Sequence, residues 1–282
     1  MGFFAEMFTD YTVSVILSGT ALLGLVSGMC GAVVFVRKET LLADAVSHGC
    51  LPGVALGFMA AGGKSSPALL AGAFVTAFLA AGFVRLARSV PAIKTDSALA
   101  MGVSLSFGVG IVLLTAIQKS GASGQAGLDR FLFGQASAMS LGDLKIILLA
   151  GAVIAAGLAV FWKQVSLVCF DGEYARAAGF RTRAAGFFIN TALVCVTVAG
   201  VETVGVVLMC SMLVAPAVAA RHLTGGLGAM VVVSAIFGAT GGVAGSVASW
   251  KIPGVPTGPA IVICLTAAAV CALILRRRAE AR

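Results

Sequence analysis

The sequence predicts an all-α integral membrane protein, a polytopic bundle of about eight to nine transmembrane helices. Hydrophobic residues make up 60% of the 282-residue chain and charged residues only 11%, less than half of the roughly 25% usual in soluble domains. The mean hydropathy is +1.07. The apolar residues also occur in runs that approach the roughly 20 residues a helix needs to cross a bilayer. This composition excludes a soluble globular protein.

Nine apolar segments follow one another along the chain, and each is predicted to be a helix. Charged stretches separate them: Arg37 and Lys38 follow the first, the 85–96 loop follows the third, and the 163–183 loop follows the fifth. No stretch is long enough for a second soluble domain, so residues 1–282 are predicted to form a single transmembrane domain. The segments span approximately residues 13–36, 41–62, 67–86, 98–117, 146–162, 184–201, 203–220, 227–247 and 258–275.

The positive charges fall mainly on alternate connections, which places 14 of the 19 Lys and Arg residues on one side of the membrane. The positive-inside rule identifies that side as the cytoplasm, so the N-terminus is expected outside and the C-terminus inside. The net charge of +8 fits anionic lipid headgroups, and no nucleic-acid partner is expected. The 14 residues are Arg37, Lys38, Arg85, Arg88, Lys94, Lys163, Arg176, Arg181, Arg183, Arg221, Arg276, Arg277, Arg278 and Arg282.

The N-terminal stretch has no Lys or Arg before Arg37, so a cleaved signal peptide is not expected. The seven Cys residues are an odd number and lie mostly within apolar runs. A buried thiol there usually packs as a small hydrophobe. We therefore expect no disulfide framework.

One polar stretch, LADAVSHG at residues 42–49, interrupts the second apolar segment. Asp44 and His48 are four residues apart, so on a helix both side chains share one face, with Ser47 beside them. A carboxylate inside a bilayer costs about 2.5 to 3.5 kcal/mol, and such residues usually line a polar path. Carboxylate oxygen and imidazole nitrogen are good ligands for divalent first-row metals. Asp44 and His48 are therefore predicted to bind a metal ion.

The alternative is an Asp44–His48 pair that hydrogen-bonds internally and has no ligand. Two side chains are too few for a metal site, but a twofold homodimer would bring two Asp and two His residues together on its axis. Pro52 and Gly53 follow at once, and the missing backbone donor of proline predicts a helix kink there. This kink either gates a pathway that includes Ser47 or serves packing alone.

The longest polar stretch on the predicted cytoplasmic side is FDGEYARAAGFRTR at residues 170–183. Asp171 is predicted to cap a short helix with Glu173 in its first turn, and Gly179 is predicted to end it. The segment of about residues 168–183 is either a docking element for a cytoplasmic partner or a solvated loop.

Two further features have open interpretations. Glu202, between two apolar runs, lies either at the outer end of a pathway or simply at a helix junction. Met209 and Met212 have the Met-x-x-Met spacing of a soft copper site, but on an apolar helix this spacing is more often core packing.

Five stretches occur in an order and spacing that resemble the permease subunits of bacterial metal-importing ABC transporters, the class that takes up manganese, zinc or iron. The resemblance covers nearly the whole chain, and its most distinctive part is the stretch from Ser47 to Gly53. The five stretches are DAVSHGCLPGVALG (44–57), LDRFLFGQ (128–135), FDGEYARAAG (170–179), VETVGVVLMCSMLVAPAVAA (201–220) and PTGPAIV (256–262).

The resemblance implies a subunit of the bacterial cytoplasmic membrane that is not itself an enzyme. Two permeases, identical or paralogous, would form the pathway, two separate ATPase chains would hydrolyse ATP, and an extracytoplasmic receptor would deliver the metal. No permanently bound cofactor is implied. Asp44 and His48 match the family's aspartate and histidine, which the resemblance implies are the metal contacts or the gate of the pathway. The residues implied in ATPase coupling are Asp171, Glu173, Ala175, Arg176 and Gly179, with Gly172 departing from a proline common in the family.

Two other functions remain open at this stage. A proton-coupled secondary transporter or cation channel explains the buried Asp44 and His48 but not the cytoplasmic helix. An ABC permease for metal chelates such as siderophores or cobalamin usually has a longer chain without charged ligands in its pathway. The metal itself is not identified by the sequence, because two oxygens and two nitrogens suit zinc, whereas added water would suit manganese or iron.

Overall fold

The structure is a computed structural model that describes residues 11–63, 65–120, 130–134, 136–252 and 254–280. Within these ranges the chain forms α-helices and one short 3-10 turn, with no strand. The helices are α1 (Tyr11–Val36), α2 (Thr40–Ala61), α3 (Ser66–Arg88), α4 (Thr95–Lys119), α5 (Arg130–Phe133), α6 (Leu141–Val160), α7 (Trp162–Phe170), α8 (Gly172–Ala177), α9 (Thr182–Val204), α10 (Val206–Leu223), α11 (Leu227–Lys251) and α12 (Thr257–Glu280).

Nine helices in the described part of the chain are long and apolar enough to cross a bilayer: α1, α2, α3, α4, α6, α9, α10, α11 and α12. The protein is thus an all-α, polytopic membrane protein, as the composition predicts. The N-terminal ten residues and, within the 128–135 stretch, residues 128, 129 and 135 lie outside the described residues.

Two helix ends differ from the predicted boundaries for local reasons. Helix α6 begins at Leu141, before the predicted residue 146, because Ser140 and Asp143 form a capping box in which each side chain accepts the other's backbone N–H. Helix α10 begins at Val206, after the predicted residue 203, because Gly205 at φ 89° interrupts the helix. Glycine adopts this positive φ without steric cost.

Helix α1 lies at the centre of the bundle and packs against α6, α9, α10 and α11. Its tightest partner is α11, where Gly24 contacts the backbone of Gly238. One turn further, the Ser234 hydroxyl donates a 2.7 Å hydrogen bond to the Gly28 carbonyl. Small residues allow this approach, and close packing with interhelical hydrogen bonds is what holds helices together in lipid.

Helix α2 packs between α3, α4 and α10. Gly53 contacts the backbone of Gly72 on α3, and Gly57 approaches Ala68 one turn later. On the other side, Gly110 of α4 lies against Pro52. A Cβ added to Gly110 would be 3.3 Å from Cδ of Pro52. In the first half of α2, residues 42, 43, 45, 46 and 47 are buried inside the bundle.

Candidate functional site

Asp44 and His48 lie on successive turns of α2, and their side chains meet. The Nε2 atom of His48 is 3.4 Å from Oδ1 of Asp44. The Asp44 side chain is 30% exposed and that of His48 13%, whereas the neighbouring residues 45, 46, 47, 49 and 50 are buried. The prediction that the two side chains share one helix face is therefore confirmed.

The second nitrogen of the imidazole has no hydrogen-bond partner among the described residues. The Nδ1 atom of His48 is buried, and the ring packs edge to face against Phe107 of α4 with the centroids 5.2 Å apart. A buried polar atom without a partner is costly. A carboxylate oxygen and an imidazole nitrogen are ligand types that divalent first-row metals accept, and metal binding by this pair stays a prediction.

No group of three or more His, Cys, Asp or Glu side chains that could hold a metal occurs among the residues that the structure describes. The pair opens instead toward the outer surface of the chain, because Leu41, Asp44 and His48 form a stripe of accessible positions along one face of α2. Among the described residues, therefore, Asp44 and His48 have no third His, Cys, Asp or Glu side chain beside them that could complete a metal site.

The predicted pathway and gate residues take different positions around this pair. Ser47 is fully buried, and its hydroxyl donates a 2.8 Å hydrogen bond to the Ala43 carbonyl. Pro52 lies inside the continuous helix α2 and cannot donate to the His48 carbonyl four residues earlier. Gly53 provides the close contact with α3. The structure thus shows a packing function for Gly53, while gating by these residues stays a prediction.

Glu202 lies in the last turn of α9, far along the chain from the Asp44–His48 pair. It is half-buried and three residues before the Gly205 junction. Met209 and Met212 are fully buried in the main core, and the sulfur of Met209 packs at the Gly200 position of α9. This burial agrees with the core-packing interpretation of the Met-x-x-Met spacing.

The predicted cytoplasmic helix is present as α8. The Oδ1 atom of Asp171 accepts hydrogen bonds from the backbone N–H groups of Glu173 at 3.0 Å and Tyr174 at 2.8 Å. Gly179 ends the segment at φ +81°, as the sequence predicts. The departure at Gly172 does not disturb the start of the helix, because the Asp171 cap supplies the acceptor that the first N–H groups need.

The five residues assigned to this segment do not share one role. Ala175 is fully buried and holds α8 against the body of the protein. Glu173 and Arg176 point into solvent and form a loose 3.8 Å ion pair, which contributes little to stability at such exposure.

Two exposed aromatic residues beside this pair are not among the site residues predicted from the sequence. The Phe170 side chain is 68% exposed and that of Tyr174 61%. Phe170 ends α7 and Tyr174 lies in α8, and the aromatic positions in the 170–174 stretch were the available signal.

Comparison with known proteins agrees with this architecture. The profile of the ABC 3 transport family matches residues 9–276. The chain is 41% identical over 251 residues to the manganese transport system membrane protein MntC of Bacillus subtilis (strain 168), covering 89% of this chain and 58% of that protein. The chain thus spans less than two thirds of that relative's length.

Two other similar proteins are matched over nearly their whole length. The zinc transport system membrane protein TroC of Treponema pallidum (strain Nichols) is 37% identical over 270 residues, covering 96% of this chain and 91% of that protein. The solved structure of PsaBC from Streptococcus pneumoniae in complex with Fab matches with a TM-score of 0.83 at 28% identity, covering 96% of this chain and 94% of that one. The chain belongs to the ABC 3 transport family.

Proposed function

We propose that this protein is the membrane-spanning permease of an ATP-driven importer that moves divalent metal ions across the bacterial cytoplasmic membrane. Family membership supports the transporter class, and the relatives named for manganese and zinc transport support the cargo. The observation that carries the proposal is the Asp44–His48 pair, since a carboxylate and an imidazole 3.4 Å apart inside an apolar bundle need a compensating partner.

The cargo ion meets this pair in the middle of its path. His48 is eight residues into α2, so it lies about 12 Å along the helix axis from the end of the α1–α2 loop. A second copy of the chain, or a paralogous permease, supplies another Asp and His across a twofold axis and completes four protein ligands. The accessible stripe of Leu41, Asp44 and His48 is the face that this partner covers.

ATP hydrolysis takes place on separate ATPase chains that dock on α8. The exposed side chains Phe170, Glu173, Tyr174 and Arg176 supply the contact surface, and the buried Ala175 transmits its movement. Helix α8 lies between α7 and α9 in the chain, so a shift of α8 moves the cytoplasmic start of α9. Alternating access then follows from rearrangement of the spanning helices around a fixed site.

The proposed orientation has the N-terminus outside and the C-terminus in the cytoplasm. Arg85 and Arg88 lie in the last turn of α3, and Arg277 and Arg278 in that of α12. With nine spans, these ends fall on the same side as α8, where the positive-inside rule places the cytoplasm. An extracytoplasmic receptor delivers the ion at the other side.

Uptake by the chain reconstituted with its ATPase and receptor tests the proposal. Manganese, zinc, iron, protons and a ferric siderophore are compared as cargo, with ATP and with an imposed proton gradient as alternative driving forces. We expect ATP-dependent uptake of a free divalent ion that Asp44→Asn and His48→Gln each abolish. The matched controls Asp143→Asn and His222→Gln change the same residue types elsewhere and should retain uptake. Uptake driven by the proton gradient without ATP would contradict the proposal.

A further inference from the structure

A cavity of about 270 Å³ opens where the cytoplasmic ends of α2, α3 and α9 meet. Its charged lining consists of Arg37, Arg85, Arg88 and Arg183 against the single acid Glu39, a formal charge of four minus one, or +3. Neither the Asp44–His48 pair nor the α8 docking surface contributes to it.

Glu39 fixes the positions of the two inner arginines, Arg37 and Arg88, but does not accept hydrogen bonds from all of their guanidinium nitrogens. Its carboxylate accepts 2.9 Å hydrogen bonds from Nε of Arg37 and from Nη1 of Arg88. Three other guanidinium nitrogens, Nη1 of Arg37 and both Nε and Nη2 of Arg88, are buried with no acceptor among the described residues. Since buried guanidinium donors without an acceptor are costly, the cavity is preorganised for an anion.

Arginine presents planar, paired donors that match the oxygens of a phosphate group. The two outer arginines, Arg85 and Arg183, are exposed at the rim of the cavity. Arg183 lies in the first turn of α9, where the helix dipole also favours negative charge. The chemistry of the site is therefore that of a phosphate-bearing anion.

An aromatic wall on the membrane side of the arginines indicates where that phosphate comes from. Phe187 is one turn deeper in α9 than Arg183, and Phe78 is two turns deeper in α3 than Arg85. The rings of Phe78 and Phe187 meet with centroids 5.7 Å apart, and Phe74 stacks on Phe78 at 6.3 Å. Phe187 is exposed on the outer surface. A lipid has both a phosphate and an apolar chain, and this surface contacts both.

We infer that the arginine cavity binds the headgroup phosphate of an anionic phospholipid of the cytoplasmic leaflet, with its acyl chain against Phe78 and Phe187. The assignment to the cytoplasmic leaflet rests on the proposed orientation of the protein in the membrane. Lipid binding itself does not depend on metal transport. Basic pockets between transmembrane helices at the cytoplasmic surface commonly hold such headgroups. Arg85, Thr182 and Arg183 also line a neighbouring cavity with Glu173 and Arg176 of α8, so the lipid sits beside the docking surface.

Native mass spectrometry of the delipidated full chain in detergent tests this inference. The chain is titrated with dioleoylphosphatidylglycerol and with zwitterionic dioleoylphosphatidylcholine, with and without excess inorganic phosphate. We expect the anionic lipid to bind roughly tenfold or more tightly than the zwitterionic one. The double variant Arg85→Gln/Arg183→Gln should lose this preference, and inorganic phosphate should not displace the lipid.

The control variant Arg277→Gln/Arg278→Gln removes the same charge from the end of α12 and should retain the preference. Because Arg85 and Arg183 are exposed, the double variant should have an unchanged melting temperature. The single variant Arg183→Glu is a second test and should also lose the lipid preference. The inference would be overturned if the double variant and Arg183→Glu both kept the preference for anionic lipid. It would also be overturned if the control variant lost that preference equally. Displacement of the lipid by inorganic phosphate would also overturn the inference, because the cavity would then be a site for a soluble anion. Binding of the ATPase chain to each variant is measured alongside, and its loss with lipid binding intact would overturn the inference by making the cavity a protein contact.

Discussion

The ring of Phe107 on α4 meets the imidazole of His48 on α2 edge to face, at an interplanar angle of 86° and a centroid distance of 5.2 Å. This contact limits the rotation of the imidazole, whose Nε2 lies 3.4 Å from Oδ1 of Asp44. It also shields one side of the ring, so the accessible edge of His48 is set by a residue 59 positions later in the chain.

Phe107→Ala should loosen His48 without removing a ligand. An aromatic contact of this kind is worth about 0.5 to 1.5 kcal/mol, so we expect a several-fold higher KM for the transported ion and a smaller change in the maximal rate. Concentration-dependent uptake by the reconstituted complex measures both. Phe107→Tyr, which keeps the ring, should behave like the unchanged protein, and an unaltered KM in Phe107→Ala would show that the ring does not position His48.

Asp171→Ala should weaken the start of α8, because two backbone N–H groups lose their acceptor. Removal of such a cap costs about 1 kcal/mol, which is large for a helix of six residues. We expect ATP hydrolysis that is less tightly coupled to uptake, measured as ions transported per ATP. Asp171→Asn retains an accepting oxygen and should keep the ratio near normal. Equal numbers of ions transported per ATP in Asp171→Ala and Asp171→Asn would show that the cap does not affect coupling.

Gly24→Ala should destabilise the bundle, because its new Cβ would collide with the backbone of Gly238 and Ala239. Backbone cannot move aside as a side chain can, so we expect a loss of about 1 to 3 kcal/mol and a lower melting temperature in detergent. Gly108→Ala on α4 is the matched control, since nothing lies within 4 Å of its added Cβ. Equal melting temperatures for the two variants would contradict the close contact of α1 with α11.

Cys169 on α7 should react slowly with thiol reagents at neutral pH. Burial raises the pKa of its thiol to about 11, the Arg37 guanidinium opposes this rise in pKa, and the Glu39 carboxylate adds to it. Because the thiolate is the reactive form, the rate of alkylation should grow about tenfold per pH unit between pH 7.5 and 9.5, without levelling off. Peptide mapping by mass spectrometry after iodoacetamide treatment measures the rate. Arg37→Gln should slow it further, and a plateau near pH 9 would contradict the raised pKa.

The amino-acid sequence by itself determined the features that depend on neighbouring residues. The nine spans follow from long apolar runs, and the limits of α8 follow from the capping chemistry of Asp171 and the positive φ of Gly179. The proximity of Asp44 and His48 follows from the helical repeat alone, since residues four apart share a face. The capping of α8 and the Asp44–His48 proximity act within one or two turns, whereas the spans depend only on runs of consecutive residues.

Only the tertiary structure decided which helix faces meet. Glu39 binds Arg88 across 49 residues, Phe107 packs on His48 from another helix, and Gly24 faces Gly238. In a bilayer, apolar side chains are equally well accommodated by lipid and by protein, so hydrophobicity does not select the contacting face of a helix. Shape and the pairing of distant polar groups select it, and neither property can be read from a local pattern.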